Sequence, residues 1–402
     1  MRVSTSQFYI QNALQLSNKQ AGVQEQVNYI SSGKRVLTAK DDAVSYSTLA
    51  GYKNDLASIE KYQRNITQAQ NHNSLVETSM KNVEGIMNQL KDLMLQANNG
   101  ARSKDDLASI AQQANHSLQQ ILDIANTQDE SGGYVFSGFQ TEKAPFVLQA
   151  DNSVSYRGDQ GSREIQIAKN VMIETNQAGD HVFEKVTNAI GDFSPTYTSN
   201  TSGIAVERAV ITNRASHNPV TPAPNYTFNF TSATALTITD GGGAVIQNIT
   251  GYTPGQTIAF NGIEVQLDGK PLPGDNFSLA PDKNVSVFET LKSAIDWIKN
   301  KTTEGSDVPQ EQVDFNRILK QLNGSMNHLT ARRAEAGINL QTIERQKDNH
   351  LDTQLYLNSG KASIEDLNFA KAISTFEQSK IALQAAQQTF KQVQGLSLFN
   401  YI

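Results

Sequence analysis

All ten prolines of the 402-residue chain fall between Pro145 and Pro309. Proline removes a helical hydrogen bond and clashes with the preceding turn, so a long proline-free segment is where long helices can run. Two such segments exist here, one at each end. Whatever interrupts helix formation is confined to the middle of the chain.

The proline-free flanks carry helical stripes. Tyr9, Ala13, Leu16, Gln20, Val23, Val27 and Ile30 step by threes and fours, which holds one narrow apolar seam against a partner helix. A second seam runs Leu49, Tyr52, Leu56, Ile59, Gln63, Ile66, shifts phase near Asn73, and resumes as Val76, Met80, Val83, Met87, Leu90 and Met94 until Asn98, Asn99 and Gly100 stop it. A third helix is predicted from about Lys104 to Asn126, with Leu107, Ile110, Ala114, Leu118 and Ile121 on one face. In the other flank the seam runs from Phe315 through Leu322, Leu329, Ala336 and Ile343, with an interruption expected at Ser359-Gly360. A last helix carries Phe369, Phe376, Leu383 and Phe390 at heptad spacing.

Between the flanks the period changes to two. Tyr226, Phe228 and Phe230 alternate with polar neighbours, and Ile263, Val265 and Leu267 follow the turn signal Asn261-Gly262. Ser286 and Glu289 form a capping-box pattern that starts a new helix. No helix in either flank can bury its stripe alone, and two helical arms joined through an insert pair most simply antiparallel. The expectation is an α+β multidomain chain: an antiparallel long-helix coiled-coil bundle from both termini with a central mostly-β insert domain. Its parts are 1–40 plus 364–402, 41–145 plus 285–363, and the insert 146–284.

Composition closes several routes. The chain has no cysteine, which excludes disulfides, thiolate catalysis and cysteine-held metal sites. Its net charge of -6 argues against a general nucleic-acid binder, and no segment approaches the roughly 18 apolar residues of a membrane helix. The opening residues lack the apolar core and small-residue cleavage site of a secretory signal, so a chain without a cleaved signal peptide is expected.

One stretch imitates a site. Ile30 to Ser47, ISSGKRVLTAKDDAVSYS, sets Gly33, Lys34 and Arg35 near Asp41 and Asp42. A phosphate-binding loop would need glycine where Asn28 stands and serine or threonine where Arg35 stands. A joint between helices explains the residues better: Gly33 closes one helix in the left-handed conformation, Lys34 and Arg35 complement its negative end, and Asp41 and Asp42 cap the next. The six histidines match no zinc or triad pattern and are expected at the solvated surface. Asp240 to Val245, DGGGAV, reads as a hairpin turn. The final stripe lacks the lysine and arginine expected on a helix lying at a lipid surface, which favours helix packing.

SSGKRVLTAKDDAVSYS resembles the N-terminal signature of bacterial flagellins and their relatives. LTARRAEAGINLQTIE and the segment from Ser363 to Ile402 are similar to the C-terminal signature. GGYVFSGFQTEKAPF, LDGKPLPGDNFSL and the ending LSLFNYI resemble the hook-associated members of that family more than flagellin itself. The likeness covers roughly Met1 to Phe146 and Val265 to Ile402.

The resemblance implies a non-enzymatic structural protein without cofactor or metal, outside the cell in the flagellum, at the junction between hook and filament. Its implied partners are copies of itself, a hook-side hook-associated protein, flagellin, an export chaperone and the type III export apparatus, with no nucleic acid and no membrane. Leu16, Val23, Val27 and Ile30 against Phe369, Phe376, Leu383 and Phe390 would form the assembly seam, and Gly33, Lys34, Arg35, Asp41 and Asp42 the interdomain joint. The alternatives are a filament-forming flagellin and, from another class, a secreted carrier of a sugar-binding or enzymatic insert.

Overall fold

The computed structural model describes residues 2–217, 225–302 and 309–395. The ending LSLFNYI lies outside the described residues. Among the described residues six α-helices, α1 (Arg2–Ser32), α2 (Ala43–Ala97), α3 (Lys104–Ala125), α4 (Val287–Asn300), α5 (Pro309–Glu365) and α6 (Phe369–Gly395), flank a central antiparallel-sheet region. The chain divides into a terminal body, 1–64 with 345–402, and a central body, 65–344.

In the terminal body α1 packs antiparallel against α6. The phenyl tip of Phe369 lies against Gly33, and Asn18, Lys19 and Gly22 face Thr375, Gln378 and Ser379 across a shallow groove. The first part of α2 runs antiparallel to the end of α5: Lys53 meets Glu365 at 3.1 Å, Gln63 donates to Gln354 at 3.2 Å, and Tyr62 stacks on His350 at 5.6 Å. The interruption expected at Ser359-Gly360 does not occur, because α5 continues through it to Glu365. Gly360 lies against the Tyr52 ring, where an added Cβ would stand 3.0 Å from Cε2. Glycine there admits a side chain of the facing helix; it does not break its own.

The central body has a helical core, a sheet core and a small third cluster of Ile66, Ala69, Ile167, Ile173 and Ile343. Met80, Val83, Met87, Leu90 and Met94 of α2 are buried with Ile110, Ala114, Leu118 and Ile121 of α3, Leu291, Ile295 and Ile298 of α4, and Ile318, Leu322, Leu329 and Ala336 of α5. Each buried leucine, isoleucine, valine or methionine among them contributes about 1.5–3 kcal/mol, which is why narrow stripes suffice once four helices share them. Asn339 to Asn73 (3.2 Å), the Arg333–Glu84 ion pair and Lys91 to Asn323 (2.9 Å) fix the antiparallel register of α5 against α2. The phase shift near Asn73 has a cause: this buried side chain donates to the carbonyls of Ala69 and Glu174.

The segment after Pro145 does not open the insert's own core. Phe146, Val182, Phe183 and Val186 join the helical core, with Phe183 edge-on to Phe146 at 5.2 Å and tilted on Phe288 at 5.6 Å. A separate core begins at Ile190. It lies between a five-stranded sheet in the order 245–250, 235–240, 226–232, 276–281, 193–199 and a three-stranded sheet in the order 257–260, 263–268, 205–211. Phe228 stacks on Phe277 at 4.7 Å and meets Phe260 edge-on at 5.5 Å. Asn261 and Gly262 both have positive φ, 44° and 71°, as the tight hairpin turn requires.

Candidate functional site: the helix joint and the terminal hairpin

The joint is built from two breaks that face each other. After Ser32 the chain turns at Gly33, whose φ of +68° is the left-handed helix-ending conformation, and whose amide donates to the Tyr29 carbonyl at 2.9 Å. After Glu365 the chain leaves α5 and restarts as α6, with Asn368 accepting from the Lys371 amide at 3.1 Å. Backbone bonds tie the breaks together: Arg35 N–H to Glu365 O at 2.7 Å and Leu367 N–H to Gly33 O at 3.0 Å.

The charged residues follow from this pairing. Lys34 reaches Glu365 at 2.9 Å, and Arg35 donates from Nε (3.2 Å) and Nη2 (3.1 Å) to the Ile364 carbonyl. The two cations therefore complement the negative end of α5, not of α1 as the local sequence suggests. Glu365 collects Lys34, Lys53 at 3.1 Å and Lys361 at 3.8 Å although its side chain is only 5% exposed. Burial alone would raise its pKa, but hydrogen bonds and charge from Lys34 and Lys53 outweigh that and hold it below the usual range.

The two aspartates divide the remaining work. Asp42 caps α2, accepting from the Ser45 amide at 3.0 Å and hydroxyl at 2.5 Å, and the Ser45 hydroxyl is the main cause of its lowered pKa. Asp41 does not cap α2. It closes the 37–41 loop by accepting from the amides of Leu37 (2.9 Å) and Thr38 (2.8 Å), and these, Thr38 first, hold its carboxyl low. Tyr29 donates to Asp41 at 2.9 Å, and burial together with that bond pushes the phenol up to about 12.

Along the hairpin, Leu16, Val23, Ile30, Phe376, Leu383 and Phe390 are half-buried between the helices, whereas Val27 is 38% and Phe369 51% exposed. Half-buried Gln26 and buried Ala372 occupy the inward positions near them. An α-helix advances 3.6 residues per turn, so a stripe counted in strict steps drifts off the inner face. A second set of apolar residues was not separated by periodicity: Ile10 and Leu14, each 58% exposed, and Ile373 and Ile381 look outward. Spacing shows that a residue belongs to a face, not which face has a partner.

Four histidines depart from the expected solvated surface, among them half-buried His217 and His328, whose ring nitrogens lie 3.2 Å and 2.8 Å from the carbonyl oxygens of Asn261 and His181. His350 is buried on Tyr62, and His72 is largely covered, with Nε2 3.9 Å from Asp129. Asp240 accepts from Gly242 and Ala244, each at 2.9 Å, so DGGGAV is a hairpin turn. Ser286 caps α4 by accepting from the Phe288 amide at 3.1 Å. No helix among the described residues is long and apolar enough to cross a membrane, and no group of metal-ligating side chains is assembled among them.

A helical hairpin of both chain ends, apolar on its outer as well as its inner face, and a helical body carrying a β insert define a long-helix structural subunit. Residues 3–141 match the bacterial flagellin N-terminal helical region and residues 319–402 the bacterial flagellin C-terminal helical region. The chain belongs to the bacterial flagellin family. It is 24% identical over 404 residues to flagellar hook-associated protein 3 of Escherichia coli strain K12, spanning 99% of each chain. The crystal structure of hook-associated protein 3 from Legionella pneumophila is similar with a TM-score of 0.67 and 27% identity, over 78% of this chain and 98% of that one. A structure of the flagellar junction protein from the same organism gives a TM-score of 0.64 and 26% identity, over 79% and 100%.

Proposed function

We propose that the chain is a structural subunit of the bacterial flagellum and forms the junction between a hook-side hook-associated protein and the flagellin filament. The observation that carries this reading is the end-to-end match to hook-associated protein 3, which includes the insert as well as the shared helical regions. In this reading 1–40 plus 364–402 form the inner assembly layer, 41–145 plus 285–363 the helical layer, and 146–284 the insert, of which the first part packs with the helices and the β core of 190–279 is the outer part.

The seam of Leu16, Val23, Val27 and Ile30 with Phe369, Phe376, Leu383 and Phe390 serves assembly in two ways. Its half-buried members hold the hairpin; Val27 and Phe369, with Ile10, Leu14, Ile373 and Ile381, meet neighbouring copies. Burying such residues between copies stabilises both the contact and the helices that carry it. Export as an unfolded chain through the type III apparatus, with a chaperone covering apolar segments, agrees with helices whose core is completed on assembly.

The second reading, a filament-forming flagellin, has the family match to both helical regions in its favour. Electron microscopy of the purified full-length chain separates the two. A junction subunit gives no long filaments alone; self-assembly into long filaments would replace the junction reading with the flagellin one.

A further inference from the structure

Three Asn-Gly pairs occur in the chain, Asn99-Gly100, Asn261-Gly262 and Asn323-Gly324, and the fold treats them differently. The backbone amide that follows an asparagine can attack its side-chain carbonyl carbon when the chain is free to bring the two together, and glycine, without a Cβ, gives that freedom. Asn323 and Gly324 lie inside α5, where the Gly324 amide belongs to the helical ladder and the Asn323 carboxamide accepts from Lys91 at 2.9 Å. Asn261 donates to the Tyr226 hydroxyl at 2.9 Å, and the Gly262 carbonyl accepts from the Thr212 and Asn213 amides at 3.0 and 3.1 Å. Both of these pairs are locked.

Asn99 and Gly100 are held by much less. They are exposed in the turn between α2 and α3, and the Gly100 amide donates to no group among the described residues. The Asn99 side chain is folded back on its own backbone: Oδ1 accepts from the Ala101 amide at 3.2 Å, which lays the carboxamide over the intervening Gly100 peptide. The same hydrogen bond polarises the carbonyl and leaves Cγ more electrophilic. A Cβ added at Gly100 would meet nothing within 4 Å, so no neighbouring element restrains this peptide.

We propose that Asn99 is a site of spontaneous deamidation. The Gly100 nitrogen gives its proton to solvent base and bonds to Asn99 Cγ; the Cγ–Nδ2 bond breaks, ammonia leaves, and a succinimide ring closes. Water then opens the ring at either carbonyl, giving aspartate or, with the backbone rerouted through the side chain, isoaspartate. Either product adds a carboxylate just beyond the C-terminus of α2, where the helix dipole is negative, and isoaspartate also lengthens the turn by a methylene. The inference is independent of the junction reading, since it concerns a turn inside one subunit.

The test is peptide mapping by mass spectrometry of the full-length chain after incubation at mildly alkaline pH in heavy-oxygen water. The folded chain should convert Asn99 roughly tenfold faster than Asn261 or Asn323, or more, with a heavy oxygen incorporated at that residue. In guanidinium the three rates should converge, because the protection of the other two pairs belongs to the fold. Gly100→Ala restricts the backbone and should slow conversion of Asn99 by roughly tenfold or more. Its new Cβ has open space, and unchanged helicity establishes that the variant is folded. No conversion at Asn99, comparable conversion of the three pairs in the folded chain, a ranking that persists in guanidinium, or an unslowed folded Gly100→Ala overturns the proposal.

Discussion

Lys34 Nζ lies 2.9 Å from the carboxylate of Glu365, a residue 331 positions later whose side chain is 5% exposed, and Lys53 and Lys361 converge on the same group. This contact turns two helix ends into one joint. Glu365→Gln leaves three lysines facing a neutral amide and should destabilise the joint by about 1–3 kcal/mol. Faster hydrogen exchange at the Arg35 and Leu367 amides, with Leu118 protection unchanged, is the expected signature.

Acid should act on the same contact. The folded Glu365 has a lowered pKa, so its contribution is fully present above the unfolded value of about 4.3 and is lost as pH falls through the folded one. Hydrogen exchange measured down a pH series should show the joint opening on acidification in the wild type and much less pH dependence in Glu365→Gln.

Alkali should meet a different group. Tyr29, Tyr156 and Tyr197 are each pushed up to about 12, in each case chiefly by burial. A phenol whose pKa is raised on folding contributes stability that is present below the unfolded value of about 10 and lost as pH rises toward 12. Ultraviolet titration of the 12 tyrosines should therefore resolve a late-ionising class, and Tyr29→Phe should remove one member of it.

The insert has its own test. Asp275 is fully buried and accepts from the Thr201 amide (2.8 Å), the Leu272 amide (2.7 Å), the Thr201 hydroxyl (3.0 Å) and the Ser202 hydroxyl. Asp275→Ala strands these donors and should destabilise the β core by about 3 kcal/mol. A denaturant midpoint that falls for the insert while α1 and α6 keep their helicity is the expected result.

The long helices and the β insert were legible because proline placement and apolar period are local properties of the chain. Tyr226, Phe228 and Phe230 announce a strand by themselves, and their side chains are buried as alternation requires. The joint was legible only in part. Gly33 and Asp42 act on neighbours within a few residues, so their roles follow from the sequence around them. Lys34 and Arg35 act on Ile364 and Glu365, and nothing near residue 34 reveals that partner. Gly360 misled for the same reason, since its purpose is the Tyr52 ring across the helix pair. Phe146, Val182, Phe183 and Val186 hid their membership of the helical core because the strands around them are too short to display a period, and Ile167 and Ile173 between them pack instead with Ile66, Ala69 and Ile343.

Deletion of the gene tests most directly the proposed assembly through the terminal hairpin at the hook–filament junction. Electron microscopy of the deletion strain should show intact hooks without filaments and unpolymerised flagellin in the medium. The wild-type gene should restore filaments; Phe376→Asp, which places a carboxylate in the half-buried seam while leaving the central body folded, should not. Hooks bearing ordinary filaments in the deletion strain would contradict the account.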